Sequence, residues 1–316
     1  MLPRTPASCQ QLRMLGTAML HRAAVYAGTG VLRASAGARH ALCAGHRLHD
    51  AFKDKSSSPG LQHRLLSSET AADTLAKNKA PVIRRFWKTT GVEERDGNYV
   101  ILLDKRPIKT PDGKQVQISG SQGTLAWLVA GEWESQTEVV GSHSLPLTSL
   151  IFRSIDGLYD PHVRAEVVDK LLKYFQTDSV CLREEYPQTL VDLQQKHHAP
   201  IVEWASDAYG IDIQSTDNIF ALRQSSQAVA RLREVVLEFS PLKLAALERA
   251  VMTAKSFLIG LALMEQRLSV EEAAVAAQVE ASSQTQRWGE LENAHDIDNA
   301  AIRQILGASA CVALDA

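Results

Sequence analysis

The chain of 316 residues is 45% hydrophobic and carries 34 Lys and Arg against 36 Asp and Glu, a formal net charge of −2. The charge is unevenly spread: residues 1–68 hold seven Arg and two Lys against Asp50 and Asp54, while the remainder carries 25 bases against 34 acids. An acidic body disfavours nucleic acid as a partner, because polyphosphate repels it. The longest apolar run, Phe257 to Met264, is eight residues, where a membrane-inserted helix needs about 20.

Residues 1–68 read as a transit peptide and spacer. Six Arg precede the first acid, set among Ala, Ser, Gly and Leu. Arg4, Arg13 and Arg22 alternate with Leu12, Leu15, Met19 and Leu20, so a helix here would be basic on one side and apolar on another. The mitochondrial matrix is the expected destination, since the inner-membrane potential draws cations inward, and a plastid is the second choice. Arg64-Leu65-Leu66-Ser67 reads as a protease cut site.

The body predicts an α+β fold: a small β-rich N-terminal domain over 69–150 and a larger all-helical domain over 151–316. Val82 to Lys88 is a strand-like run, Asp96-Gly97 a hairpin turn, and Tyr99 to Leu103 a buried strand. Pro111-Asp112-Gly113 is a second turn before a short strand at Val116 to Ile118, which completes a meander. From Ser121 the period becomes helical, with Leu125, Leu128, Val129 and Trp133 on one face. A seam is expected between Gly141 and Asp160. Asp160-Pro161 then caps a helix bearing Val163, Val167, Leu171, Leu172 and Phe175. Continuous helices are expected over Gln188–Tyr209, closed by Gly210, and over Ala228–Phe239. A long one runs from Ser240-Pro241 to about Met264, apolar nearly all round, as at the centre of a bundle. The capping box Ser269-x-x-Glu272 opens another through about Glu292, and a last helix covers Asp296 to Val312.

The search for chemistry finds little. No phosphate-binding glycine loop follows a strand, and no nucleophile elbow occurs. Cys181 and Cys311, the two body cysteines, lack metal spacing and read as buried thiols of a reducing compartment. The best metal-like cluster is Glu292, His295, Asp296 and Asp298, but di-metal bundles need a second Glu-x-x-His, which the sequence lacks. A capped helix junction is the favoured reading. The same cluster supports the alternative function, a matrix metal-dependent hydrolase. Trp288, beside Arg287, is either a helix-end core anchor or a recognition hot spot.

An ordered set of short motifs runs along the body. It begins with Arg85-Phe86-Trp87, Leu103-Asp104, Arg106 and Lys109-Thr110-Pro111. Glu132-Trp133, Pro146-Leu147-Thr148, Thr177-Asp178, Cys181, Arg183, Pro187 and Leu190 follow, then Pro200-Ile201 and Trp204. The most specific block is Gln286-x-Trp288-Gly289-x-x-Glu292-x-Ala294-His295-Asp296. Together they resemble the mitochondrial ATP synthase F(1) assembly factors, the chaperones of the alpha subunit. The resemblance implies a binding protein rather than an enzyme, with no cofactor and no metal, acting as a monomer. Its partner would be the unassembled alpha subunit, whose beta-facing surface it covers until the alpha–beta ring forms. Carried over by motif, Gln286, Trp288, Glu292, His295 and Asp296 are the expected partner-binding residues, with Glu132 and Trp133 a weaker second set. Two positions depart from the family pattern: Phe152-Arg153 replaces a small polar pair, and His198-Ala199 stands where a Trp often precedes Pro200.

Overall fold

In the computed structural model, which describes residues 83–218, 220–290 and 295–314, the Asp96-Gly97 turn is the hinge of the sheet. Both residues take positive φ, 51° and 73°, the geometry that matches the twist of a two-residue hairpin. It joins β1 (Thr90–Arg95) to β2 (Asn98–Leu103), in antiparallel register from Thr90↔Leu103 to Arg95↔Asn98. The other edge of β2 is shared. β3 (Arg106–Pro107) pairs at one end through Leu102↔Pro107, and β4 (Ile118–Ser119) at the other through Tyr99↔Ile118. The expected turn before β4 is present, with Gly113 at φ 83° and Thr110 N donating to Lys114 O.

Two features of the sheet differ from the reading. The run to Lys88 is not a strand of the sheet: Arg84 makes a single bridge to Val139, and Arg85 N donates to Glu138 O. A second tight turn follows β2, where Asp104 takes φ 56° and its Oδ1 accepts from Lys88 N at 3.0 Å and Thr89 N at 3.1 Å. That carboxylate holds the incoming segment in place of a ladder.

α1 (Gly123–Glu134) lies over β1 and β2, and its Leu125, Val129 and Trp133 meet Trp87, Ile101 and Ile118 in one apolar core. The Arg85 guanidinium reaches back to the carbonyls of Glu134 and Gln136, groups at the helix end that lack intrahelical partners. α2 (Pro146–Gly157) occupies the expected seam. Leu147 and Ile151 face the sheet-side core, while Leu150 faces the helical one. α3 (Pro161–Gln176) is capped by Asp160, which accepts from His162 N at 2.8 Å.

Three helices expected to be continuous are broken, each for a local reason. Gln188–Tyr209 divides into α4 (Gln188–His197) and α5 (Ala199–Tyr209), because Pro200 has no N–H to offer the preceding turn. Gly210, at φ 64°, closes α5 as expected. After α6 (Ser226–Leu237), the long apolar helix splits into α7 (Pro241–Ala254) and α8 (Phe257–Met264). Lys255 takes φ 55°, and Ser256 caps α8 through Ile259 N. The chain turns back so closely that a Cβ on Gly260 would lie 2.6 Å from Val251 Cγ2 and 3.1 Å from Val251 N. The third break, at Gln278, separates α9 (Val270–Ala277) from α10 (Val279–Trp288). The capping box at Ser269 and Glu272 forms as expected.

α11 (His295–Cys311) packs on α7 and also on α2, and its Ala308 joins the sheet-side core. Every residue of α8 is buried, as a bundle centre requires. The architecture is α+β, a small antiparallel sheet followed by helices, and the described residues fall in one compact unit. Among them, no helix is long and apolar enough to cross a membrane. The expected transit peptide and its cut site lie outside the described residues.

Candidate functional site

The residues singled out from the sequence fall into a buried pair and an exposed group. Glu132, 9% exposed at the end of α1, caps α2 from outside. Its Oε1 accepts from Leu147 N at 2.7 Å, and its Oε2 accepts from Thr148 N at 2.9 Å and Thr148 Oγ1 at 2.8 Å. A carboxylate at a helix N-terminus satisfies orphan N–H groups and meets the positive end of the dipole. Burial raises the Glu132 pKa, and these three bonds pull the other way. Trp133 Nε1 donates to the same Thr148 hydroxyl at 3.0 Å, and its ring stands edge-on to Trp87 at 5.2 Å. Both residues thus have their polar atoms committed inside the fold, where they fix α2 against α1.

Gln286 and Trp288 are different. Trp288 is 71% exposed, which decides between the two readings of it: it is a surface aromatic, not a core anchor. It lines a groove with Glu280, Ser283, Gln284 and Arg287 of α10, facing Pro187 and Leu190 at the start of α4. The two helices are tied there by the Ser283 and Thr189 hydroxyls at 3.1 Å. The Arg287 guanidinium sits 5.2 Å from the Trp288 ring and 5.9 Å from the ring of Tyr186, itself 71% exposed. Both distances are within cation–π range, so one cation contacts both rings. The groove measures about 130 Å³. Small-molecule sites run to roughly 300–1,000 Å³, so this one suits a single protruding side chain. A larger cavity of about 410 Å³, lined by Lys114, Gln115, Gln117, Ile155 and Tyr159, has mostly long polar walls and no buried ionisable group.

His295 opens α11, with Asp296 and Asp298 in its first turn, where the helix dipole favours acids. Glu292 lies outside the described residues. Among those described, no three His, Cys, Asp or Glu side chains gather as a metal site. The structure brings Gln286 and Trp288 together on α10; it does not bring Glu132 and Trp133 to that surface. Tyr186 was missed in the sequence, although its place between Glu184-Glu185 and Pro187 marks it as an aromatic in a polar loop.

The remaining ionisable groups of the helical core are structural. Cys181 is buried, which pushes its thiol up to about 12 and leaves it inert. His198 is buried at the α4–α5 break, with Nε2 2.9 Å from Ala276 O; burial lowers it to about 4, so the ring is neutral. The departing pair at 152–153 also has a structural place: Phe152 packs against the sheet-side core, and Arg153 makes a two-pronged ion pair with Glu248 of α7, at 2.8 and 3.1 Å.

Comparison with known proteins bears on what this arrangement serves. The family model described as ATP12 chaperone protein matches residues 84–206. The Schizosaccharomyces pombe protein atp12, mitochondrial, is 33% identical over 238 residues, covering 73% of this chain and 82% of the relative. The chain belongs to the ATP12 chaperone family. Its Saccharomyces cerevisiae counterpart, also named mitochondrial, is 29% identical over 271 residues and is covered to 83%. The crystal structure of Atp12 from Paracoccus denitrificans superposes with a TM-score of 0.64 at 27% identity, covering 72% of this chain and 96% of that one. As an ATP12 family member the protein is a chaperone of the mitochondrion and not an enzyme, which sets aside the metal-dependent hydrolase.

Proposed function

We propose that this ATP12-family protein binds the unassembled alpha subunit of the F(1) sector of ATP synthase in the mitochondrial matrix. It covers the alpha surface destined for beta subunits and leaves as the alternating ring forms. An unpartnered subunit exposes apolar interface that aggregates, and a surface of matching character suppresses this. The observation that carries the reading is the exposed Trp288 and Tyr186 pair, both in contact with Arg287 beside the α4–α10 groove. The two rings share one cation at the edge of a groove, and aromatic and Arg side chains are the usual anchors of protein interfaces. Gln286, Trp288, Glu292, His295 and Asp296 form the proposed contact block, and the chaperone acts as a monomer.

The test is light scattering of alpha subunit diluted from denaturant, with and without the full chain, with beta subunit as the control client. Suppression for alpha alone, near one-to-one and without ATP, supports the reading. Equal suppression of both subunits, or of neither, refutes it.

A further inference from the structure

The chemistry of the proposed contact surface specifies what kind of client segment it accepts. Four carboxylates line the aromatic groove or stand within two residues of its two aromatics. Glu184 and Glu185 directly precede Tyr186, Glu280 lines the groove, and Glu290 follows Trp288 by two residues. All four are exposed, and among the described residues none of them is used in an ion pair. The cation of the groove, Arg287, is in contact with two rings.

The surface continues beyond the groove. Arg183 N donates to Thr216 O at 2.9 Å and Thr216 N to Cys181 O at 3.1 Å, joining the 181–183 segment to the loop between α5 and α6. That loop is built, not slack. The Gln224 side chain bonds Gln214 N and O at 3.0 and 2.9 Å, Ile213 and Leu222 are buried beneath it, and Asn218 Oδ1 accepts from Phe220 N at 2.9 Å. Yet its tip presents Phe220, 88% exposed, the most exposed of the large apolar side chains described. Asp212 and Asp217 of the same loop are exposed, with Arg223 the one exposed cation beside them in sequence. From Arg183 to the groove's Pro187 is four residues, no more than about 14 Å of extended chain.

We infer that this acidic, aromatic-edged face, from Phe220 across Glu184-Glu185 to Trp288, takes an extended client segment that pairs Lys or Arg with a large apolar side chain. The apolar residue fills the Trp288 groove and the cations lie along the carboxylates. The inference rests on the proposed chaperone function and specifies its client. Opposite charge speeds encounter and excludes wrong partners, whereas apolar anchors set the lifetime. A second copy of this acidic face would be repelled, and so would an anionic lipid surface.

Binding of alpha subunit, freshly diluted from denaturant, to the full-length chain is followed by stopped-flow Trp fluorescence at low and high salt. Trp288→Ala is expected to speed dissociation by roughly 30-fold, with association little changed. Glu280→Lys with Glu290→Lys is expected to slow association by about tenfold and to flatten its salt dependence. Phe220→Ala speeds dissociation as well. Glu94→Lys with Glu138→Lys, two exposed acids on and beside the sheet, is the charge-matched control and leaves both rates as in the wild type. If the wild-type chain binds alpha subunit and all these variants bind it equally well, the proposed face is wrong while the chaperone function stands. If the wild-type chain does not bind alpha subunit, both fall. Loss of a self-associated species in Trp288→Ala, with client binding intact, would assign the face to a second copy and also overturn the inference.

Discussion

Asp178 is fully buried between the end of α3 and the start of α8, and it offers a quantitative test of the helical core. Its Oδ1 accepts from Val180 N at 3.1 Å and its Oδ2 from Leu258 N at 2.9 Å, so one carboxylate caps two segments. Burial dominates these bonds and pushes the carboxyl from 3.8 to about 6. Because the folded value lies above the ordinary one, this group's contribution to stability is complete below about pH 4 and is lost as the pH rises through about 6. A shift of this size corresponds to ~3 kcal/mol. Asp178→Asn cannot titrate, so the difference in unfolding free energy between wild type and variant isolates this one group. Urea unfolding of both chains across pH 4 to 8 should show the wild type losing ~3 kcal/mol relative to the variant, whatever their absolute stabilities. A difference that stays flat to within ~1 kcal/mol, or that moves in the wild type's favour as pH rises, would refute the claim that desolvation outweighs the capping bonds.

Three further outcomes follow from the geometry. Glu132→Gln places an amide donor against the N–H groups of Leu147 and Thr148 that the carboxylate now satisfies, and should cost about 2–4 kcal/mol at neutral pH by chemical denaturation. Gly260→Ala forces a methyl against the Val251 side chain and backbone; a loss of ~1–3 kcal/mol is expected, and a neutral result would show that α7 and α8 can separate without cost. Trp288→Ala should leave the unfolding free energy within ~0.5 kcal/mol of wild type, as expected for an exposed side chain outside the core.

The strand-then-helix order was legible because turn residues and periodicity are local signals. Asp96-Gly97 can do little but turn, and Ser269-x-x-Glu272 closes its own box. What failed to show was long-range. The segment before Lys88 has strand composition, but Arg85 binds the carbonyls that end α1 some fifty residues away, and no local pattern encodes that. The break at Lys255 was hidden because the apolar periodicity of α7 runs straight into the wholly apolar α8; a buried helix and a buried helical hairpin share one composition. Ser256, which caps α8, and Gly260, where the backbone of Val251 approaches, carried the information. At the candidate site, sequence could nominate Trp288 but could not say whether it was inside or outside. Its exposure depends on α4 lying beside α10 without covering the ring.

The placement of the polar residues separates folding from recognition. The buried carboxylates, Glu132 and Asp178, each cap a helix start from a distant part of the chain. They fix α2 to α1 and α8 to the end of α3, and they need no help from the surface. The exposed carboxylates around Tyr186 and Trp288 do the opposite: among the described residues they are unpaired, so they stabilise little and remain available. The proposed function, in which the client passes to a permanent partner, is served by this division. A groove of about 130 Å³ holds one side chain, too little for an obligate interface. Long-range charge can raise the encounter rate without adding buried area. On the proposed function, the combination favours rapid capture and easy release.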